Sequence, residues 1–433
     1  MQSEIVIVGG GAGGLELACK LGRKLGPSNV TLVDSRPYHI WKPSLHEVAA
    51  GTLDIHQEGL SYLMLAHDNG FNFVFGPMTG LDTEARRLTV GQVLAPGSGE
   101  EVLPERQIGY TSLVLAVGST SNYFGVPGAR EHTISLNATE DAERFRLKLL
   151  RLLAIANQDK EEGADATLDV VIIGGGATGV ELAAELREAT RVYAAYGFQN
   201  LQVGRDVRIT LLEGAPRILA PLPERVSAAA LRLLAQRAIR VVTDCRVTEI
   251  EPDRVHDAKG NTYRAHLCVW AAGIRAPEFL TGLGLPTNRG GQIEVDNRLQ
   301  VKGVPHVYAL GDCAACVDGA GQPVPPRAQA AHQQADYLRK TFVLALAGKA
   351  AQDKPYRYRD YGSLVSLGHK SSVGSLMGAL RGFSWFVEGF VARVMYKSLH
   401  LLHDQAVLGS VRTAVQTVAR FLIRRTTPVV KLH

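Results

Sequence analysis

No uninterrupted apolar run in these 433 residues reaches the ~18 to 20 that a membrane-spanning helix needs, so the sequence excludes a spanning helix. Cysteine is scarce: five in all, an odd number widely scattered, which fits a reducing compartment and no disulfide framework. Aromatic residues make up 6 % of the chain and are not interleaved with Lys and Arg along a stripe. Nucleic acid is therefore not an expected partner, even with a formal net charge of +5. Low-complexity segments are absent, and the cysteines and histidines show no metal-ligand spacing, so no metal site is expected. A core strand begins almost at the first residue and leaves no room for a charged, apolar, cleavable leader, so the catalytic part is expected in the cytoplasm.

Glycine, by contrast, is plentiful, and its placement carries the most information. Leu168 to Ile173, apolar and β-branched-rich but for Asp169, is a run of the kind a parallel strand buried on both faces requires. It leads into Gly174, Gly176 and Gly179, which fill the G-x-G-x-x-G template, with Thr178 between them, and a helix-spaced apolar pattern follows. The first glycine permits the turn, the second lets a pyrophosphate approach the backbone, and the third lets the helix pack on the strand with its amino end toward phosphate. Glu213 ends the next apolar strand, Val207 to Leu212, where a carboxylate would bind both ribose hydroxyls of NADH and repel a 2′-phosphate. It falls about 39 residues after Gly174, longer than the usual ~20, across a polar, Tyr-containing insertion at Tyr193 to Arg205.

The same unit stands at the amino end. Glu4 to Val8 runs into Gly9, Gly11 and Gly14, and a second strand ends in Asp34 about 25 residues on. Two fingerprints, each in a strand-turn-helix-strand-acid context, point to a chain that holds a flavin dinucleotide at one and admits a nicotinamide dinucleotide at the other. Arg36 and Lys42 follow as candidate partners for a pyrophosphate or flavin, with ordinary surface cations as the alternative. Ser112 to Ser119 reads as a buried strand whose small residues at its end, Ala116 and Gly118, let backbone approach a cofactor; Leu267 to Gly273 repeats that pattern. Val307 to Asp312 gives another strand, then Gly311 and an acid. Asp312 either caps the following helix or binds a ribitol hydroxyl or phosphate-linked water. Return of the chain to the first unit makes the second an insertion. The expected fold is α/β: two Rossmann-like dinucleotide-binding domains, residues 1–120 with 275–345 for FAD and 121–274 for NADH, followed by a C-terminal membrane-associating helical region, 346–433.

Paired fingerprints, small-residue strand ends and Gly311-Asp312 resemble the two-dinucleotide-binding-domain flavoprotein reductases. More narrowly, His39-Ile40-Trp41-Lys42-Pro43, Gly174 to Glu181, Trp270-Ala271-Ala272-Gly273-Ile274 and Pro325 to Gln333 resemble, essentially end to end, the bacterial type II NADH:quinone oxidoreductases. That resemblance implies FAD held by Gly9, Gly11, Gly14, Asp34, Gly118 and Asp312, and NADH held by Gly174, Gly176, Gly179 and Glu213. It implies hydride transfer from NADH to FAD, then two electrons to a membrane quinone without proton pumping, on the cytoplasmic face of the bacterial inner membrane. It also associates Glu181 with proton delivery; on its own the residue reads as a first-turn carboxylate favoured by the helix dipole. Ala328 to Gln333 matches the quinone motif A-Q-x-A-x-Q. Gln329 and Gln333, four apart, share a helix face and can offer amide donors to quinone carbonyls, while His332 lies about 100° around the helix and takes no assigned role.

Three rivals are weighed. Cys313-Ala314-Ala315-Cys316 is a C-x-x-C at a helix start, as in a soluble disulfide reductase, but related reductases carry the dithiol after the early FAD strands or within the nicotinamide domain. A sulfide:quinone oxidoreductase is disfavoured because no cysteine lies between Cys19 and Cys245 to hold a persulfide. A flavin-bearing redox sensor is the non-enzymatic reading. At the carboxyl end, Phe383 to Val391 and Val407 to Ile423 are apolar but short. On a helical wheel Leu408, Val411, Val415, Val418 and Leu422 fall on one side and Arg412, Gln416 and Arg420 on the other, with Arg424, Arg425 and Lys431 extending the charge. That predicts an interfacial helix with its cations toward anionic headgroups, packing on the protein's own core or on a second subunit in a homodimer being the alternative.

Overall fold

The computed structural model of the chain describes residues 2–350, 352, 354–368, 372–377, 384–423 and 430–431. Strand Gln2–Val8 lies at the centre of the first sheet, parallel to Val30–Asp34 on one side and to Arg106–Leu115 on the other. Asn72–Phe75 extends it parallel beyond Val30–Asp34, while Met78–Asp82 and Arg87–Val90 form an antiparallel excursion on the far edge. Strand Val307–Ala309 pairs parallel with the end of Arg106–Leu115, so the chain comes back after a long absence to complete this sheet. Helix Ala12–Leu25 covers one face with Leu15, Leu17, Ala18 and Leu21, all buried.

The inserted unit repeats the plan. Five parallel strands lie in the order Ile134–Ser135, Leu267–Trp270, Leu168–Ile173, Val207–Leu212, Ile239–Val242. Every residue of Leu168–Ile173 but Asp169 is buried, which is why Val170 to Ile173 reads as a continuous apolar run and not an alternation. The outgoing and returning crossovers run side by side, Thr120–Ser121 pairing antiparallel with Ile274–Arg275. Between the fingerprint helix Ala177–Tyr196 and Val207–Leu212, the insertion is folded, not loose: Arg187 is buried and donates to the carbonyls of Val203, Val207 and Ala238.

Past helix Ala328–Leu346 the C-terminal region holds a three-stranded antiparallel sheet, Gly362–Ser366, Ser372–Met377 and Ser384–Glu388, as well as helices Phe390–Leu408 and Ser410–Ile423. Gly409, at φ +83°, separates the two, so the apolar stretch read as one helix from Val407 is broken there. Among the described residues no helix is long and apolar enough to cross a membrane. The last helix has its apolar row outward: Val411, Val415, Val418 and Leu422 are 78, 63, 60 and 59 % exposed. Its cations are engaged by the protein's own carboxylates, which corrects the expectation that they are left for headgroups: Arg412, itself exposed, pairs with Asp68, and half-buried Arg420 with Glu58 at 2.7 Å and Asp404 at 2.9 Å. Leu408 is half-buried against the core, and Lys431 is spent on Asp54 at 3.1 Å. Phe383, Arg424 and Arg425 lie outside the described residues.

Candidate active site

Two cradles are built alike in detail. A Cβ on Gly14 would stand 1.9 Å from the Gly9 carbonyl oxygen, and one on Gly179 the same distance from that of Gly174, so helix and turn touch where only glycine fits. Ala116 and Ala271 close against Gly9 and Gly174 in the same way. By contrast a Cβ on Gly11 or Gly176 would meet nothing within 4 Å. Both helices start at these open glycines without a side-chain cap or an acid in the first turn, so their free N–H groups and positive dipole ends are directed at an anion.

The two acids are held identically. Asp34 accepts from Gly10 N at 2.6 Å and from Arg36 N at 2.8 Å; Glu213 accepts from Gly175 N at 2.5 Å and from Ala215 N at 2.7 Å. In each case the glycine that follows the first fingerprint glycine, Gly10 or Gly175, and the amide two residues past the acid fix the carboxylate beside the turn, leaving lone pairs for ribose hydroxyls. The long spacing to Glu213 thus has no geometric consequence, because the insertion is absorbed before its strand begins. Each cradle, with an open glycine, a free helix end and a fixed carboxylate, fits a dinucleotide.

A second cluster gathers near the first cradle. Lys42 Nζ donates to the Ser119 carbonyl at 2.7 Å, next to Gly118 at φ +71°, and Ser119 Oγ donates to Asp312 at 2.8 Å. Asp312 lies within the turn Gly311–Cys313, and Gly311 N donates to buried Gln334 at 2.7 Å. Arg36 is elsewhere, paired at 3.3 Å with Glu140 on the inserted unit. Gly273, at φ +66°, is packed against the Phe124 ring, which lies within 2.6 Å of where its Cβ would be. Thr178 is exposed in the first turn of the second fingerprint helix.

Glu181 is not in that first turn, so the helix-dipole reading is corrected. The helix starts at Ala177, and Glu181 is one turn further in and buried. Short helix Leu45–Ala50 leaves the first unit and packs on the inserted one, where Tyr193 hydroxyl donates to the Ala50 carbonyl at 3.0 Å. This puts His46 Nδ1 3.7 Å from Glu181, whose other oxygen accepts from Ser366 N at 3.0 Å and which also bonds Tyr396. Burial lifts the Glu181 carboxyl above its ordinary range against the pull of His46 and Ser366. His46 Nδ1 also meets the Pro43 carbonyl at 2.8 Å, so it carries the hydrogen, and Nε2 is left a buried acceptor with no protein partner. His46, Ser366 and Tyr396 were not singled out in the sequence; the one available signal was His46 in the run His39 to Glu47.

Gln329 and Gln333 share a face of helix Ala328–Leu346, and both amides already have partners. Gln329 donates to Asp360 at 3.3 Å and the Gly362 carbonyl at 3.1 Å; Gln333 exchanges bonds with Arg359, 2.8 Å to its carbonyl and 2.9 Å from its N–H. They clamp the segment 359–362 against the helix. Cys313 and Cys316 are buried free thiols, pushed up by burial to about 11 and about 12, so at neutral pH neither is the thiolate a dithiol centre needs.

Residues 3–335 match the family model described as pyridine nucleotide-disulphide oxidoreductase. The chain is 37 % identical, over the full length of both proteins, to the type II NADH:quinone oxidoreductase of Haemophilus influenzae. It is 27 % identical to the type II NADH:quinone oxidoreductase Ndh of Mycobacterium tuberculosis, covering 98 % of this chain and 89 % of that one. Among solved structures, the NDH2 of Plasmodium falciparum in complex with NADH superposes with a TM-score of 0.78 over 94 % of this chain and 97 % of its own, at 19 % identity.

Proposed function

The chain belongs to the pyridine nucleotide-disulphide oxidoreductase family and, within it, to the type II NADH:quinone oxidoreductases, and from that premise we propose how its residues divide the work. The enzyme oxidises NADH and reduces a quinone. Bound FAD supplies the redox chemistry, accepting a hydride from NADH and passing two electrons to the quinone. Residues 1–120 with 275–345 hold it: Gly9, Gly11 and Gly14 admit the pyrophosphate, Asp34 the ribose, and Lys42, Gly118 and Asp312 the flavin end. Residues 121–274 hold NADH, with Gly174, Gly176, Thr178 and Gly179 at the pyrophosphate, Gly273 at the strand end beside it and Glu213 on the ribose. The observation that carries this reading is the twofold use of one hydrogen-bond pattern, Gly10 and Arg36 amides on Asp34, Gly175 and Ala215 amides on Glu213.

Hydride and quinone together require one further proton to reach the quinol. Glu181 is the donor in this account, since burial keeps its carboxyl protonated to higher pH than an exposed one. His46 Nε2, buried and without a protein partner, is placed to take a hydrogen bond from a bound substrate, while Nδ1 is the ring atom that faces Glu181. Gln329 and Gln333 shape the quinone site by fixing segment 359–362; both amide hydrogens of Gln329 are engaged there, and one of Gln333 remains for a quinone carbonyl. A quinone that resides in lipid must be met at the surface of the bilayer. Val411, Val415, Val418 and Leu422, with exposed Leu63 and Met64 on the helix that Arg412 grips through Asp68, form the apolar face that enters the cytoplasmic leaflet. Turnover with NADH or NADPH as donor, and quinone or disulfide as acceptor, tests this division: the NADH and quinone pair should dominate, and equal rates with a disulfide would refute it.

A further inference from the structure

Glu16 is a carboxylate on the buried side of the first fingerprint helix, with 2 % of its side chain exposed. His332, from the glutamine helix, meets it at 2.5 Å, and His403, from helix Phe390–Leu408, at 2.8 Å. His403 Nε2 then lies 3.0 Å from His39 Nε2, and His39 Nδ1 2.8 Å from the carbonyl of Gly10, which lies between the first two fingerprint glycines of the first cradle. A continuous row of hydrogen bonds therefore links the C-terminal helix to the turn that admits the pyrophosphate.

The row also fixes its proton content. Gly10 O can only accept, so His39 Nδ1 carries a hydrogen, and neutral His39 then offers a bare Nε2. Between Gly10 O and Glu16 there are three links, each needing one hydrogen, and two neutral imidazoles supply two. One additional proton is shared along the row. Burial and neighbouring His403 push His39 down to about 3, so His39 does not keep it. Burial would raise the Glu16 carboxyl, but its hydrogen bonds to His332 and His403 outweigh it and bring it to about 2, so Glu16 does not keep the proton either and ends the row as the anion.

The consequence for the cradle follows from peptide geometry. In a trans peptide the C=O of Gly10 and the N–H of Gly11 point in opposite directions, so holding the carbonyl toward His39 aims the Gly11 N–H the other way. Tyr62 hydroxyl donates to the same carbonyl at 2.8 Å. In the second cradle the equivalent carbonyl, that of Gly175, is held by a backbone donor, Leu219 N at 2.7 Å. Only the first cradle ties this peptide to titratable side chains.

We propose that His403 is a positioning residue for FAD: its proton-rich link through His39 orients the Gly10–Gly11 peptide, so that seating of the C-terminal helix and retention of the cofactor are coupled. This rests on the reading of the first cradle as the FAD site. The groups facing His403 are Glu16 and Lys20 from the fingerprint helix, His39 from its loop, and His332 and Asp336 from the glutamine helix. On its own helix are His400 and Asp404, the latter paired with Arg420.

The test is the rate of FAD release from the full-length holoenzyme, followed by flavin fluorescence across pH. His403→Leu should speed release about tenfold, the size of one hydrogen bond to a charged partner, and leave NADH affinity unchanged. Wild-type release should accelerate on the alkaline side as the shared proton is lost, and that limb should be missing in His403→Leu. Arg23→Ala frees the same helix end, where Arg23 donates to the Ala406 and Val407 carbonyls, yet leaves the row intact, so it should keep the alkaline limb. Should His403→Leu not fold, Tyr62→Phe serves, with faster release at every pH and the limb retained. Unchanged release or a retained limb in His403→Leu, loss of the limb in Arg23→Ala, or unchanged release in Tyr62→Phe would overturn the proposal. Normal FAD content in Gly11→Val would instead overturn the first cradle as the FAD site.

Discussion

Burial sets the behaviour of Glu181. A carboxyl raised above its unfolded value binds more protons folded than unfolded in the interval between the two, so its cost to stability appears as pH rises through that interval. Glu181→Gln should therefore raise Tm relative to wild type by about 2 °C near pH 8, with the difference shrinking toward pH 4.5, while slowing quinone reduction by about a hundredfold. Differential scanning calorimetry and single-turnover kinetics check the two halves; a Tm gap independent of pH would contradict the assignment. Glu213 gives a second residue-level expectation. Held by two amides at the proposed ribose position, it should favour NADH over NADPH, and Glu213→Gln should narrow the ratio of kcat/KM values by about tenfold. The fingerprint residues were legible because each is a steric or electrostatic necessity of a local strand-turn-helix. Glu16, His39, His46 and His403 were not, because they meet across 30 to nearly 400 positions and nothing in their neighbourhoods announces a partner. The signal they did leave is a charged residue at an inward helix position, Glu16 amid Leu15, Leu17 and Ala18.

At the scale of elements, the glutamine helix and segment 359–362 act as one piece. Replacing Gln333 by Leu removes both bonds to Arg359, so quinone reduction should fall about tenfold while flavin bleaching by NADH stays within about twofold. Equal loss in both half-reactions would make the helix a support for FAD alone. The last helix carries a related expectation: Val415→Asp, at an outward position, should weaken binding to anionic vesicles without unfolding the protein, as sedimentation would show, whereas a change of oligomeric state with vesicle binding intact would point to a homodimer face. Helical spacing was readable in Ser410–Ile423, but which way its polar side faces was not. That depends on Asp68, Glu58 and Asp404, carboxylates brought in from elsewhere. The strands Gly362–Ser366 to Ser384–Glu388 were missed for a like reason: they are short, and their partners are each other.

The whole molecule is two copies of one nucleotide-binding plan joined through a paired crossover, with the C-terminal region laid over both. Two of its valines show the join: Val407 sits in the core of the first unit and Val430 in that of the second. Repetition made the architecture visible, since the second fingerprint could only be a second sheet, whereas the lay of the C-terminal region depends on contacts no local pattern encodes. Electrons must pass from NADH to the flavin and only then to the quinone. Under anaerobic conditions, mixing the FAD-loaded enzyme with one equivalent of NADH should bleach the flavin absorbance rapidly, and subsequent addition of quinone should restore it in full with one quinol formed per NADH. NADH that leaves the flavin oxidised, or bleached flavin that a disulfide reoxidises and a quinone does not, would contradict it.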